Sequence, residues 1–191
     1  MEKTRGSAFP TRLSLIHKKQ ILRRFSSKTS KGSEIRLRRL ERKDREEIRE
    51  LLQDTRNFAP SEIEVAISLV DEALEGESTY LFLVAIDQAD TVLGYICYGR
   101  TPMTSGTWDV YWVAVLKRFQ RRHIGSLLLS EVEKEIGLKE GRLIVIETSS
   151  KRGYYSTRRF YQKMGYHITA RIGRFYSERD DKLIFCKYFT H

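Results

Sequence analysis

Apolar residues recur along the chain with two periods, one typical of strands and one typical of helices. Strand-like stretches, rich in β-branched and aromatic residues, are predicted at 34–40, 80–87, 91–99, 107–116, 142–150, 166–172 and 182–189. Helical spacing of apolar residues predicts helices over 42–55, 60–76, 124–137 and 154–165. The order is therefore β-α-α-β-β-β-α-β-α-β-β, with no internal repeat. This order predicts a single α/β domain with a mixed sheet.

The stretch TWDVYWVAVL, residues 107–116, is apolar on both faces, which predicts a central strand. A helix and another apolar strand, 142–150, follow it. Strand, helix and strand in this order predict a right-handed crossover that makes the two strands parallel. The stretches 80–87 and 91–99 are separated by a short polar turn and predict an antiparallel hairpin.

Charge is distributed unevenly over the 191 residues. The net charge is +10, but residues 1–33 hold nine Lys and Arg against one acid, while the remainder has 26 against 24. We therefore expect residues 1–33 to be a basic, flexible extension that catalysis does not need, and 34–191 to be the folded domain. A moderately amphipathic centre, with Leu13, Ile16, Leu22 and Phe25, leaves open a transit peptide or a surface-docking helix, although apolar residues there are sparse.

The composition also bears on the compartment and on metal binding. No apolar stretch approaches the roughly 18 residues that a membrane span requires, so we expect a soluble, cytoplasmic protein. Cys97 and Cys186 lie far apart, and no two of the four histidines are spaced at i, i+4. These spacings predict reduced thiols and no metal site.

A cation-rich loop separates the central strand from the third predicted helix. Lys117, Arg118, Arg121 and Arg122 precede the start of the helix, and Gly125 lies in its first turn. The N–H groups of a first helical turn have no intrahelical acceptors, and the helix dipole adds positive potential there, so such an end binds phosphate. A glycine allows the ligand to approach the backbone closely. The alternative is a solvated basic turn.

The segment V-A-V-x-x-x-F-Q-R-R-H-I-G-S-L-L-L resembles the coenzyme A signature of the GNAT superfamily of acetyl-CoA-dependent N-acyltransferases. That signature is a strand followed by Q/R-x-x-G-x-G/A and a helix, and His123 replaces its first glycine. The resemblance implies that acetyl-CoA is the cosubstrate and that backbone groups of the strand hold its pantetheine arm. The implied coenzyme-binding residues are Val113, Ala114, Val115, Gln120, Arg121, Arg122, His123, Ile124, Gly125 and Ser126.

A second segment, STRRFYQKMGY at 156–166, resembles a later GNAT motif ending F-Y-x-K-x-G-F/Y. Tyr154 and Thr157 replace the asparagine and alanine common upstream in that motif. With the order of strands and helices, the resemblance covers about residues 34–191. The two motifs imply a mostly antiparallel sheet with a splayed central parallel strand pair and about four flanking helices. They also imply that Tyr161 is the general acid that protonates the leaving thiolate; the alternative is a core tyrosine.

Acyl transfer to an amine also requires a group that removes a proton from the substrate ammonium. Two acids on predicted central strands are candidates, Glu147 and Asp109, and either could instead be a hydrogen-bonded structural residue. With Tyr161 they form the predicted catalytic set. The choice of base between the two acids stays open.

These features lead us to expect an N-acyltransferase that moves an acetyl group from acetyl-CoA to a primary amine by direct attack. The alternative is a non-catalytic acyl-CoA-binding regulatory module. A nucleic-acid-binding function through the basic extension is less well supported, because few aromatic residues lie among its charges. The expected acceptor is a small-molecule or protein amine, with no specific nucleic acid and no membrane span. The expected protein is a monomer or a homodimer.

Overall fold

The structure is a computed structural model, which describes residues 27–28, 34–76 and 78–189. The strands are β1 Ser27–Lys28, β2 Glu34–Arg39, β3 Leu81–Ile86, β4 Val92–Arg100, β5 Thr107–Val115, β6 Leu143–Ser149, β7 His167–Ser177 and β8 Asp180–Tyr188. The helices are α1 Asp44–Thr55, α2 Pro60–Glu75, α3 Ile124–Gly137 and α4 Tyr155–Lys163. Short 3₁₀ turns at Lys117–Phe119 and Arg152–Tyr154 precede α3 and α4. From Glu34 onward the predicted order of strands and helices is confirmed.

The eight strands form one sheet in the order β1-β2-β3-β4-β5-β6-β8-β7. All neighbours are antiparallel except β5 and β6, which are parallel, as the crossover predicted. Ser27 and Lys28 pair with Ile35 and Glu34 of β2, so the chain contributes to the sheet before Glu34. The flexibility predicted for residues 1–33 falls otherwise outside the described residues and stays a prediction.

Helices cover the sheet on two faces and enclose two apolar clusters. Helix α3, with Tyr161 of α4, packs on one face against β3–β6 and β8. Helices α1 and α2 pack on the other face, against β3, β4 and the end of β5. This second face extends beyond α1 and α2 over β6, β8 and β7. We call that part the acceptor face, after the amine acceptor that the sequence leads us to expect. No helix among the described residues is long and apolar enough to cross a membrane.

The parallel pair opens into a fork. Pairing between β5 and β6 runs from Thr107↔Leu143 to Val110↔Ile146 and stops there, although both strands continue. On its other side, β5 remains paired with β4 as far as Val115. The predicted splayed central pair is therefore confirmed, and beyond Val110 one edge of β5 is unpaired by β6.

A β-bulge lies at the apex of the fork. Tyr98 of β4 pairs with Val110 and Cys97 pairs with Trp112, so Tyr111 is an extra residue in β5. Bulges bend a strand and redirect its side chains, and they are common beside active sites. Here the bulge changes which side chains of β5 face α3: Val110 does so before it and Val113 after it.

Candidate active site

The free edge of β5 presents backbone groups of Val113 and Val115. Leu116 N–H donates to Leu93 O of β4 at 2.9 Å, and an added Cβ on Gly94 would lie 2.9 Å from Ala114 O, so Ala114 O faces β4. Because successive residues of a strand direct their backbone groups to opposite edges, Val113 and Val115 face the fork. Gln120 Nε2 reaches Val115 O at 3.2 Å from this side. The fork thus has hydrogen-bonding positions suited to an extended ligand.

Helix α3 begins at the open end of the fork with an uncapped N-terminus. Its first intrahelical bond runs from Leu127 N–H to His123 O at 2.9 Å, and no side chain caps the helix. The N–H groups of Ile124, Gly125 and Ser126 precede that bond and therefore have no acceptor within the helix. Such N–H groups, together with the helix dipole, favour a bound anion.

His123 adopts the backbone conformation that glycine favours. Its φ is 63° and its ψ is 9°, in the left-handed region. A side chain there costs on the order of 1–2 kcal/mol, which accounts for the glycine in the motif that this loop resembles. His123 replaces that glycine, yet the chain still turns into α3 as a glycine would allow.

The cations predicted to bind phosphate surround this helix end. Arg118 and Arg122 lie against the Phe119 ring, with guanidinium carbons 5.1 and 5.3 Å from its centroid. Across residues 34–76 and 78–189, no ion pair involves these two arginines, Arg121 or Lys117. Their charges are therefore available to a ligand. A polyanion of diphosphate size fits this chemistry.

The fold itself does not require a glycine at position 125. An added Cβ there would lie 3.5 Å from Phe160 Cζ and 3.9 Å from Val115 Cγ2, which are ordinary contacts. Gly125 is also helical, and glycine in a helix costs about 1 kcal/mol relative to alanine. Neither packing nor local conformation explains the glycine, whereas close approach of a ligand to the backbone does.

Tyr161 lies in α4 on the α3 side of the sheet, with 6% of its surface exposed. Its ring contacts those of Phe160, Tyr166 and Phe185, at centroid distances of 5.4, 6.2 and 5.6 Å. Burial raises the pKa of its phenol well above the ordinary value, with a smaller contribution from Tyr154. The side chain packs as a core tyrosine and remains protonated at neutral pH, as a general acid must be.

Glu147 is the first residue of β6 beyond the fork, and it lies on the acceptor face. Its side chain is 46% exposed, and its Oε2 accepts a salt bridge from Lys182 Nζ at 2.7 Å. Lys182 lies on β8, opposite Ser149. Glu147 is therefore an accessible carboxylate at the fork, already paired with an ammonium of the protein.

Asp109 lies on the same face of β5, one residue before the fork. Its Oδ2 accepts a hydrogen bond from Thr101 Oγ1 at 2.6 Å. The neighbouring phenol of Tyr111 packs edge-to-face against Tyr80 at 5.0 Å. The pKa of Tyr111 is raised to about 12 by burial and then by the charge of Asp109. Asp109, Tyr111 and Glu147 thus share one side of the fork, and Tyr161 lies on the other.

Tyr154 closes one end of this region and was not predicted as a site residue. Its hydroxyl donates to Asn57 O at 2.9 Å, which joins the α1–α2 loop to the turn before α4. In the same loop, the Phe58 ring lies 6.3 Å from that of Trp112. Burial raises the pKa of Tyr154 to about 12, followed by the charges of Glu62 and Asp180. The absence of the usual asparagine at this position was the only sequence signal.

Buried Asp180 holds the turn that carries Tyr154. It accepts hydrogen bonds from Ser149 Oγ at 2.5 Å and from Ser150 N–H at 3.1 Å, and Lys151 Nζ lies 3.3 Å away. Burial alone would raise the pKa of Asp180, but these hydrogen bonds outweigh it and leave the pKa lowered. The end of β6 is therefore tied to the start of β8. No pattern in the sequence predicts that this aspartate is buried.

Comparison with known proteins was made for both sequence and structure. A model of the GNAT acetyltransferase domain matches residues 78–168. A GNAT-family protein from Desulfovibrio desulfuricans is 39% identical, with a TM-score of 0.78 over 81% of this chain and 98% of its own. No match was found among curated proteins.

More distant structures share the fold. The PaiA N-acetyltransferase of Thermoplasma acidophilum, solved with coenzyme A, is 19% identical with a TM-score of 0.64 over 81% of this chain and 99% of its own. The ribosomal-protein-S18-alanine N-acetyltransferase of Escherichia coli is 14% identical, with a TM-score of 0.65 over 82% and 95%. With the fork and the uncapped, cation-rich helix end, the domain match and the 39% identical protein show that the chain is an acetyl-CoA-dependent acetyltransferase and belongs to the GNAT family.

Proposed function

We propose that the protein transfers the acetyl group of acetyl-CoA to a primary amine by direct attack. The coenzyme's diphosphate binds at the α3 N-terminus, held by the N–H groups of Ile124, Gly125 and Ser126. Side chains of Gln120, Arg121 and Arg122 add donors and positive charge around it, and His123 shapes the turn into α3. The pairs of Arg118 and Arg122 with Phe119 support this role, because they keep two cations beside the loop.

The pantetheine arm binds in the fork as an added strand. Backbone groups of Val113 and Val115 face this gap, with Ala114 between them holding β4, so an extended arm finds donors and acceptors along one edge. A backbone N–H at this edge stabilises the negative charge that develops on the thioester oxygen during attack. The bulge at Tyr111 supports this reading, since it turns the strand at the point where the thioester would lie.

Tyr161 supplies the proton that the departing thiolate requires. Its raised pKa keeps the phenol protonated throughout the pH range in which an amine substrate becomes neutral. Its position on the α3 side of the fork leaves the acceptor face free for the amine. Acid and acceptor then approach the thioester from opposite sides of the sheet.

Glu147 is our candidate for the group that receives the proton of the acceptor, directly or through water. It is the more exposed acid at the fork, and it accepts no hydrogen bond from a neighbouring hydroxyl as Asp109 does from Thr101. Asp109 then orients Tyr111 and the wall of the acceptor face. The acceptor ammonium gives one proton to the base and its nitrogen then bonds to the thioester carbon. The C–S bond breaks as the thiolate takes a proton from Tyr161, and the second proton that leaves the nitrogen restores the phenol.

The observation that carries this proposal is the fork that opens onto an uncapped helix end surrounded by cations without ion pairs. The test is calorimetric titration with coenzyme A, followed by a screen of amines with acetyl-CoA in which free thiol release is measured. Gly125→Val should weaken coenzyme binding by at least about 100-fold, because its side chain would occupy the path of the diphosphate. Unchanged affinity in a folded Gly125→Val variant would disprove the site, and tight coenzyme binding without turnover on any amine would favour a non-catalytic module.

A further inference from the structure

An ammonium group of the protein itself occupies the acceptor face. Lys182 Nζ lies 2.7 Å from Glu147 Oε2 and 3.8 Å from the centroid of the Phe175 ring. A carboxylate on one side and an aromatic face on the other are the groups that recognise an ammonium. We call Glu147 and Phe175 together the ammonium seat.

The two parts of the ammonium seat are open to solvent, whereas its occupant is not. Glu147 is 46% exposed and Phe175 is 50% exposed, but Lys182 is only 13% exposed. Carboxylate oxygens accept several hydrogen bonds, so the exposed side of Glu147 can meet a second cation.

The groups around the ammonium seat also favour a cation. Tyr176 packs edge-to-face on Phe175 at 5.0 Å. Its pKa is raised by burial first and then by the negative charges of Glu147, Asp180 and Glu62. Lys151 partly offsets this negative charge through Asp180. Carboxylates from β6, β8 and α2 thus act on a phenol that packs beside Phe175, one part of the ammonium seat.

We propose that the ammonium seat is the recognition site for the acceptor, and that Lys182 is a placeholder which the acceptor displaces. The occupant indicates the substrate class: an unbranched alkylammonium, such as a lysine side chain or an aliphatic polyamine. Because a lysine stem is flexible, its head can leave the seat without moving β8. This inference rests on the proposed function, since it assigns the acceptor of that reaction.

The experiment compares the KM of acceptors in Lys182→Met, Lys182→Arg and wild-type protein, using n-butylamine, Nα-acetyl-lysine methyl ester and glucosamine. Lys182→Met removes the ammonium from the seat but keeps an unbranched side chain. The KM of both alkylamines should therefore fall by about 3- to 30-fold, which corresponds to the strength of the cation–π contact that the acceptor gains. Lys182→Arg keeps a cation in place and should keep the KM high. The KM of glucosamine should fall less than the KM of the alkylamines.

Lys139→Met is the matched control. Lys139 Nζ also lies over an aromatic ring, 5.4 Å from the Trp108 centroid, but on the α3 side and without a carboxylate, so its KM values should equal those of wild type. In the Lys182→Met background, Phe175→Leu should raise the alkylamine KM again. If Lys182→Met fails to fold, Lys182→Gln serves the same purpose.

Two outcomes would overturn the placeholder. One is an unchanged or higher alkylamine KM in Lys182→Met; the other is a loss confined to kcat, which would mean that Lys182 only orients Glu147. Calorimetric titration with n-butylamine, without coenzyme, measures occupancy of the seat directly. Tighter butylammonium binding in Lys182→Met supports the seat even if acetyl transfer fails, and equal binding refutes it even if acetyl transfer succeeds.

Discussion

The fork has two contrasting sides. One is the cation-rich loop 117–123 with the start of α3, where we propose that the coenzyme binds and which we call the coenzyme end; the other is the acceptor face. They differ in how their polar groups are satisfied. At the coenzyme end, the loop cations stack on Phe119 or stand alone but form no ion pair among the described residues, and the first N–H groups of α3 have no intrahelical acceptor. On the acceptor face, Glu147 binds Lys182, Asp109 accepts from Thr101, and Tyr154 donates to Asn57. Polar groups without ion-pair or hydrogen-bond partners are positions where a ligand can bind directly. Where a polar group already has a protein partner, a ligand must first displace that partner. The predictions below test this difference.

Tyr161→Phe should give the largest effect, because it removes the group that we propose protonates the leaving thiolate. The ring still fills the core beside Phe185, so the melting temperature and the coenzyme affinity should be nearly unchanged. Turnover should fall about 100-fold, the low end for general acid catalysis, whereas loss of one ordinary hydrogen bond would cost less than about tenfold. The measurement is single-turnover thiol release under conditions where chemistry limits the rate. Wild-type turnover would return Tyr161 to a purely structural role.

The wild-type pH profile provides a companion check on Tyr161. Because its pKa is raised in the folded state, the phenol should stay protonated, and no loss of rate should come from it below about pH 10. Folding stability linked to this group should be fully present below its unfolded pKa and should decline as the pH rises through the folded value. If the rate declines as the pH rises through the neutral range, and this decline is absent in Tyr161→Phe, the raised pKa of Tyr161 is contradicted.

The acceptor face is tested by comparing Glu147→Gln with Asp109→Asn. We expect Glu147→Gln to lower kcat/KM for amines by about tenfold or more, since it removes the base and the ammonium partner. Asp109→Asn can still accept from Thr101, so its effect should be several-fold smaller. Steady-state kinetics, with coenzyme affinity as the common control, distinguish the two. The reverse order would make Asp109 the base.

At the coenzyme end, Gly125→Ala should have opposite effects on binding and stability. An added Cβ has only ordinary contacts in the free protein, so helix propensity should stabilise the fold by about 1 kcal/mol. The same methyl group should weaken coenzyme A binding several-fold, because it blocks close approach to the backbone. Thermal unfolding and calorimetry measure the two effects. A protein that is more stable and binds equally well would show that the diphosphate does not approach Gly125.

The smallest effect is expected for His123→Gly. Glycine relieves the left-handed backbone at φ 63° but loses more entropy on folding, so the net change in stability should be within about 1 kcal/mol. Coenzyme affinity should change little, since the turn keeps its shape. Equilibrium unfolding in urea measures the first quantity and calorimetry the second. A large loss of affinity would assign the imidazole a direct contact with the coenzyme.

Chain order alone determined the coenzyme end of this protein. Residues 113–126 form a continuous strand, loop and helix, so apolar periodicity, clustered cations and one glycine predicted the elements and their ligand together. The order of elements from Glu34 onward followed from the same periodicity. These features depend only on residues that are close in sequence, so the apolar periodicity of a single segment is enough to predict them.

Only the tertiary structure decided the acceptor face. Lys182 of β8 contacts Glu147 of β6 and Phe175 of β7, and Tyr154 contacts Asn57 across 97 positions of sequence. Burial of Asp180, pairing of an exposed glutamate and the length of β7 depend on which strands become neighbours. Sheet register and bulges bring such distant residues together, and the pattern of a single strand does not specify its partners. The sequence therefore predicted the coenzyme site that we propose, whereas the packing of the sheet decided which residues lie across the fork from it.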